Sequence, residues 1–284
     1  MQAVAVKGKT VVITGASSGI GAEAAVQLAQ MGATVVPVGR DRPRLDAVVS
    51  RISKDNPDRA AEPLTADFAS LSQVRALASK LIDRHPRIDV LVNNAGLVSN
   101  RRRLSEDGFE LTFAVNHLAP FLLTNLLLER LRASAPARVV TTSSGAHFSA
   151  VLDMEDLNGE RRWSTWSTYC NSKLANVLFT RALACRLEDS GVTVNCLHPG
   201  VIRTRLGRGA PLPVRIGWRV AGLFFASPRK GAATIVYLAS APEVASTSGG
   251  YFVDSRQRNP SAQAQDAALA EALWERSEQL TGLR

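Results

Sequence analysis

A chain of 284 residues with 45% hydrophobic side chains is long enough to bury a large core in one α/β sheet. Its formal charge of +9 comes from arginines scattered along the chain, with Arg101, Arg102 and Arg103 the one block; this reads as a solvated basic surface rather than a nucleic-acid-binding patch. Cys170, Cys185 and Cys196 lack metal-ligand spacing and are expected to be reduced packing residues. With no signal-like apolar core in residues 1–9 and no run of membrane-spanning length, a soluble, cytoplasmic protein is expected.

The first predicted unit is Val11-Val12-Ile13-Thr14, a β-branched strand that runs into Gly15, Gly19 and Gly21 and then an alanine-rich helical pattern over residues 22–31. Glycines let the backbone turn sharply and approach a ligand, and a helix N-terminus offers free N–H groups and the positive end of a dipole. Gly15, Ser17, Ser18, Gly19, Ile20 and Gly21 are therefore candidate contacts to a phosphate or pyrophosphate. Structural glycines at a strand–helix turn are the alternative.

A second strand, 34–38, ends in Gly39-Arg40-Asp41-Arg42. Folds that bind NAD usually place a carboxylate near this strand end for the ribose hydroxyls. Here Gly39 takes that place with Arg40 beside it, which suits the 2′-phosphate of NADP(H). Asp41 is read as the N-cap of a helix over 42–53. A third strand, 61–66, ends in Asp67, a candidate acceptor for an adenine amino group or a cap for the helix predicted over 70–85. The fourth strand, 88–92, is almost continuously apolar, as a parallel strand covered on both faces should be. It ends in Asn93-Asn94-Ala95-Gly96, whose amides suit ligand and backbone groups alike; a sheet-closing loop is the plain alternative.

One long helix is predicted over 105–132, with Asn116 among Phe113, Val115, Leu118 and Phe121. Taken alone, that asparagine reads as a satisfied core amide. The fifth strand, 138–142, ends in Ser143-Ser144-Gly145. A helix over 167–188 carries Tyr169 and Lys173, which at i and i+4 share one face. An ammonium beside a phenol favours its ionised form and would fit a tyrosine for proton transfer, although the spacing alone is common in helices. A sixth strand, 192–197, ends in His198-Pro199-Gly200. The basic and apolar segment 212–225 is read as a lid over an apolar substrate, with a peripheral membrane contact or a dimer face as alternatives. A helix over 229–240, a strand over 250–253 and a helix over 261–279 complete the chain.

Gly15, Arg40, Asp67, Asn93, Ser144, Pro199 and Gly200 all follow the carboxyl end of a predicted strand. In an open parallel sheet, ligands bind outside those ends. The expected fold is α/β, a Rossmann-type doubly wound sheet of about seven mainly parallel strands with helices on both faces, in one domain over residues 1–284.

Thr14-Gly-Ala-Ser-Ser-Gly-Ile-Gly21, Asn93-Asn-Ala-Gly96, Asn116, Ser144, Tyr169-x-x-x-Lys173 and Pro199-Gly200 together resemble a short-chain dehydrogenase/reductase over essentially the whole chain. Val115-Asn-His-Leu118, Asp156-Leu-Asn-Gly-Glu160 and Leu197-His-Pro-Gly-Val201 resemble its retinol-dehydrogenase-like branch. The resemblance implies an NADP(H)-dependent oxidoreductase. Tyr169 would exchange a proton with the substrate oxygen and Ser144, the second of its serine pair, would hold that oxygen. Lys173 would bind the nicotinamide ribose and lower the tyrosine's pKa, and Asn116 would hold a water on the proton path. Ala95, Gly96, Pro199, Gly200 and Thr204 would line the cofactor, with Thr204 at its carboxamide end. His147 is not needed by this scheme and is read as structural or pocket-lining. The expected substrate is a hydrophobic alcohol, aldehyde or ketone, retinal-like or steroid-like. The alternatives are a polar secondary-metabolite carbonyl, or a catalytically idle NADP(H)-binding sensor or scaffold. The chain offers no preference between monomer and homo-oligomer.

Overall fold

The computed structural model describes residues 6–55, 62–200 and 227–284. Among the described residues, eight strands form one sheet in the order β3-β2-β1-β4-β5-β6-β7-β8. They are β1 (Thr10–Thr14), β2 (Thr34–Gly39), β3 (Leu64–Thr65), β4 (Val90–Asn93), β5 (Ala137–Thr142), β6 (Val192–His198), β7 (Tyr251–Val253) and β8 (Arg256–Arg258). All neighbours are parallel except β7 and β8. The chain builds outwards from β1 through β2 to β3, then returns to place β4 on the other side of β1. The strand order thus reverses between β1 and β4, which opens a crevice at their carboxyl ends.

Alternate residues of each strand feed two cores. Val11 and Ile13 face a layer made by α1 (Gly19–Gln30), α2 (Arg42–Asp55) and α8 (Pro228–Ser240), where Leu28, Leu45, Ile52 and Ile235 pack. Val12, Leu91 and Val139 face α3 (Leu71–Arg84), α5 (Ala119–Leu126), α7 (Thr165–Arg186) and α9 (Ala267–Thr281), through Leu77, Phe121, Leu178 and Trp274. Burial on both faces explains why the central strands are apolar throughout.

Three expected element boundaries need correction. The helix expected over 105–132 is interrupted. Leu104 and Glu110 form an isolated antiparallel bridge around Gly108, whose φ is 83°. A single helical turn, α4 (Leu111–Phe113), capped by the Glu110 carboxylate, then leads into a π-helical turn over Ala114–Leu118 before α5 and the short α6 (Leu128–Ala133). Pro120 has no N–H to give the Asn116 carbonyl four residues back, so the regular ladder cannot run through this point. β3 is shorter than expected, Leu64–Thr65 rather than 61–66: it is the edge strand and pairs on one side only, with Val38 and Gly39 of β2. The tail breaks at Asp266, whose carboxylate accepts the Leu269 N–H at 3.0 Å and starts α9 there. The eighth strand is entered through Asp254 and Ser255, both at positive φ. No glycine marks that hairpin turn, and the exposed Arg-Gln-Arg strand has no apolar alternation to read. The three cysteines are free, but only Cys170 and Cys196 are buried packing residues; Cys185 falls on the exposed side of α7, against expectation.

Candidate active site

The crevice is held together by Thr14, the last residue of β1. Its hydroxyl donates to the Val92 carbonyl at 3.2 Å and accepts the N–H groups of Asn94 and Ala95 at 2.9 and 3.0 Å. The Asn94 amide donates back to the Thr14 carbonyl at 3.0 Å. Two loops therefore meet at close range, and this contact accounts for two of the glycines. A Cβ on Gly15 (φ 67°) would lie 2.8 Å from Ala95 Cα, and one on Gly21 would lie 2.5 Å from both the Gly15 carbonyl oxygen and Asn94 Nδ2. Gly19 differs: at φ 62° it faces open space. Ser18 precedes α1 in an extended conformation without a side-chain cap, so the first N–H groups of α1 are left for another acceptor. This open cradle fits the diphosphate of a dinucleotide. Ile20 is half-buried on the first turn, and Ser17 lies beside Gly39, whose added Cβ would sit 3.4 Å from Ser17 Cβ.

Beyond Gly39 the charges sort themselves. Asp41 caps α2 by accepting the Arg44 N–H at 3.1 Å and pairs with the Arg44 guanidinium at 3.0 Å. Arg42 pairs with Asp46 at 2.8 Å. Arg40 is exposed and has no ion pair among the described residues. Asp67 accepts the Ala69 N–H at 3.0 Å, so one of its oxygens serves the turn before α3.

At the other end of the crevice, Ser143 and Ser144 part ways. The Ser143 hydroxyl is buried and donates to the Lys173 carbonyl at 2.7 Å, which ties β5 to α7. Ser144 is half-exposed and caps the 3-10 turn Gly145–Ser149 by accepting the Ala146 N–H at 3.2 Å, and its hydroxyl faces the Tyr169 phenol. Lys173 is 5% exposed, donates to the Thr142 carbonyl at 3.1 Å, and has its Nζ 5.7 Å from the centre of the Tyr169 ring.

The electrostatics depart from expectation. Burial holds the Tyr169 phenol above its usual value, with the nearby Ser144 hydroxyl pulling the other way. The neighbouring ammonium was expected to dominate. Instead its Nζ is committed to a carbonyl, and burial pushes its own pKa down to about 8.

Asn116 is 1% exposed, in the π-helical turn. Its Oδ1 accepts the Leu97 N–H at 2.8 Å, and its Nδ2 donates to the Leu97 carbonyl and the Ser172 hydroxyl, both at 3.0 Å. Ser172 in turn donates to the Tyr169 carbonyl at 2.8 Å. The Asn116 amide thus pins the loop after β4 to α7. Gly96 belongs to the same corner, since a Cβ there would stand 3.2 Å from Asn116 Oδ1 and 3.6 Å from Lys173 Nζ. The Asn93 side chain points elsewhere: it is buried and donates to Thr124 Oγ1 of α5 at 2.8 Å, so only its backbone borders the crevice. Pro199 and Gly200 (φ 85°) are half-buried at the end of β6. Thr204 and the segment 212–225 lie outside the described residues.

Thr14, Ser143 and Ser172 were missed. Each is a hydroxyl beside a motif residue, and that adjacency is the signal that was available. His147 is fully buried and bonded at both ring nitrogens, in line with a structural role. Among the described residues, the large apolar side chains that remain exposed are Leu104, Phe148, Val151 and Trp166. Phe148 and Val151 follow Ser144 and Trp166 precedes Tyr169, with its ring centre 6.3 Å from that of Tyr169. No helix among the described residues is long and apolar enough to cross a membrane, and no group of side chains there could hold a metal ion.

Comparisons with known proteins place the chain in a family. The family model described as short chain dehydrogenase matches residues 9–211. The chain is 43% identical to human (Homo sapiens) retinol dehydrogenase 13 over 98% of its own length and 86% of the relative's. It is 45% identical, over 97% of its length and 93% of the other's, to a protein of Streptomyces sp. (strain C5) named for C-13 ketoreduction of daunorubicin. A Shigella flexneri 2a protein of the short chain dehydrogenase type, crystallised with NADP, superposes with a TM-score of 0.67 at 25% identity, covering 90% of this chain and all of that one.

Proposed function

This chain belongs to the short chain dehydrogenase family, in its retinol dehydrogenase-like branch, and is an oxidoreductase acting on alcohols or carbonyls with a nicotinamide cofactor; from that premise we propose that it uses NADP(H) and reduces hydrophobic aldehydes or ketones. The observation that carries the reading is the Ser144–Tyr169 hydroxyl pair with Lys173 buried beside it. A hydroxyl beside a phenol can hold a carbonyl oxygen while the phenol delivers a proton to it. The nicotinamide, when bound, supplies the hydride. One hydride at carbon and one proton at oxygen turn a carbonyl into an alcohol.

Within that scheme Tyr169 is the general acid, Ser144 fixes the substrate oxygen, and Lys173 binds the nicotinamide ribose. Both Nδ2 hydrogens of Asn116 are committed, to the Leu97 carbonyl and the Ser172 hydroxyl, so Asn116 holds the water on the proton path through an oxygen. Gly15, Ser17, Ser18, Gly19, Ile20 and Gly21 hold the diphosphate, Asp67 the adenine end, and Ala95, Gly96, Pro199, Gly200 and Thr204 the nicotinamide half. NADP(H) is favoured because Arg40 is exposed and uncommitted, while Asp41, the carboxylate that would repel a 2′-phosphate, is neutralised by Arg44. A hydrophobic substrate is favoured by the exposed apolar side chains that flank the two hydroxyls. Likeness to the Streptomyces protein supports a second reading within the same chemistry, a ketone of secondary metabolism.

The test is NADPH oxidation, followed by absorbance, against a panel of hydrophobic aldehydes and ketones that includes retinal and a polycyclic ketone. Turnover by the native chain and its loss in Tyr169→Phe, with NADPH binding retained, is the expected outcome. Turnover undiminished in Tyr169→Phe would overturn the assignment of the acid.

A further inference from the structure

His147 takes no part in the chemistry above, yet it is wholly enclosed beside the reacting hydroxyls. It lies in the 3-10 turn that Ser144 caps. Its Nδ1 is 2.7 Å from the Ser144 carbonyl oxygen, and its Nε2 is 3.1 Å from the Ser261 backbone nitrogen. A carbonyl can only accept and an amide N–H can only donate. The imidazole is therefore neutral, with its hydrogen on Nδ1 and its lone pair on Nε2, and the two partners permit no other tautomer. Tyr251 packs edge-on and Phe148 tilted against the ring, at 4.7 and 4.2 Å between centres.

Both bonds reach something that matters to the site. The Ser144 carbonyl receives the imidazole and also the His147 N–H at 3.2 Å, so the backbone that aims the Ser144 hydroxyl has two donors on it. Ser261 begins the tail that leads into α9, and its hydroxyl accepts the Ala264 N–H at 3.4 Å. The tail is fastened to α7: Arg186 grips the Glu271 carboxylate with bonds of 2.6 and 2.7 Å and lies 4.1 Å over the Trp274 ring. Helix α7 carries Tyr169. A closed circuit therefore runs from Tyr169 along α7, across to α9, back along the tail to Ser261, and through His147 to Ser144.

We propose that His147 is a positioning residue that braces Ser144 against the C-terminal tail, and so sets the distance and angle between the Ser144 and Tyr169 hydroxyls. The proposal rests on the reading of Ser144 as the group that holds the substrate oxygen. It makes the C-terminal tail, remote in sequence from every motif residue, a working part of the active site.

The two bonds can be removed separately. In His147→Asn, Nδ2 stands where Nδ1 was and can still donate to Ser144. In His147→Gln the longer amide reaches towards Ser261 but leaves Ser144. His147→Phe keeps the ring packing and loses both bonds. Ser261→Pro deletes the tail's N–H, while Ser261→Ala keeps it and serves as the control.

The first readout needs no substrate: the ionisation of Tyr169, followed by phenolate absorbance and assigned with Tyr169→Phe. The nearby Ser144 hydroxyl pulls that ionisation down, so His147→Phe, by letting Ser144 shift, is expected to move it up towards the value in Ser144→Ala, and His147→Asn to leave it near native. The second readout is steady-state turnover on whichever panel compound the native enzyme reduces. His147→Phe is expected to lose about tenfold or more in kcat with NADPH affinity unchanged, and Ser261→Pro to add nothing to it in the double variant. Equal loss in His147→Asn and His147→Phe, or a native Tyr169 ionisation in His147→Phe, would overturn the proposal. If His147→Phe does not fold, Ser261→Pro and His147→Gln carry the same comparison. A native chain that turns over nothing on the panel would count against the reductase reading, and the phenolate titration would still decide the brace.

Discussion

Replacing Lys173 with methionine should abolish turnover and, at pH 7, make the protein more stable. The ammonium is 5% exposed, and its only hydrogen bond among the described residues is to the Thr142 carbonyl. Burial lowers its pKa from 10.5 to about 8, so the folded state carries the charged form at a cost of about 3 kcal/mol. The sign follows from proton linkage. Between pH 8 and 10.5 the unfolded chain holds this proton more tightly than the folded one, so stability rises with pH across that window. Below it the whole penalty is present, and above it none is. Methionine has a similar length and no charge. It forfeits the bond to Thr142, worth about 1 kcal/mol, but Asn176 Nδ2 still donates to that carbonyl at 3.2 Å. The net gain at pH 7 is about 2 kcal/mol, or roughly 5 °C in Tm for a chain of this size. The assay is thermal and urea unfolding of the two proteins at pH 7 and again above pH 10.5. A variant less stable than the native chain at pH 7, or a gain that persists undiminished at high pH, would refute the reasoning. The outcome expected is a site that holds a destabilising charge because the chemistry uses it.

Three further outcomes follow from the same geometry. Arg40→Asp should weaken NADPH binding by about tenfold to a hundredfold, the worth of one charge-assisted bond, and strengthen NADH binding; unchanged affinity for both in a fluorescence titration would remove Arg40 from the 2′-phosphate site. Gly21→Ala places a Cβ 2.5 Å from the Gly15 carbonyl oxygen and Asn94 Nδ2, and should cost about 1–3 kcal/mol in urea unfolding, because the backbone oxygen cannot give way as the amide can. Phe148→Ala and Trp166→Ala should each raise KM for large apolar carbonyls by about tenfold or more while kcat/KM for a short aliphatic aldehyde stays the same. Equal effects on both substrates would mean that these rings support the site rather than contact the substrate.

What the sequence by itself determined are the features with a local cause. A β-branched run that ends in glycine has to turn where Gly15 turns, and an apolar strand such as Val90–Asn93 has to be covered on both faces. Tyr169 and Lys173 share a helix face because of helical pitch alone. Where those strands ended, the candidate residues lined up along one edge of the sheet, so the fold and the place of the candidate site were legible. The features that escaped have partners far along the chain. Ser143 and Ser144 are identical as residues, and what separates them is that Lys173, thirty positions away, takes the first hydroxyl into the core and leaves the second to Tyr169. The long helix over 105–132 looked continuous because nothing in its apolar pattern reveals the Glu110 cap or the π-helical turn that lets Asn116 reach Leu97. The tyrosine was expected to be lowered by its lysine because spacing brings them together. Only the packing determines that the ammonium turns to the Thr142 carbonyl and that burial then acts on both groups. The brace from His147 to Ser261 spans 114 positions and became visible only once the sheet and α9 had brought the tail back to the active site. Periodicity and turn chemistry reach a few residues along the chain, whereas the direction of a buried hydrogen bond depends on every element packed around it, and that part of the site belongs to the tertiary structure.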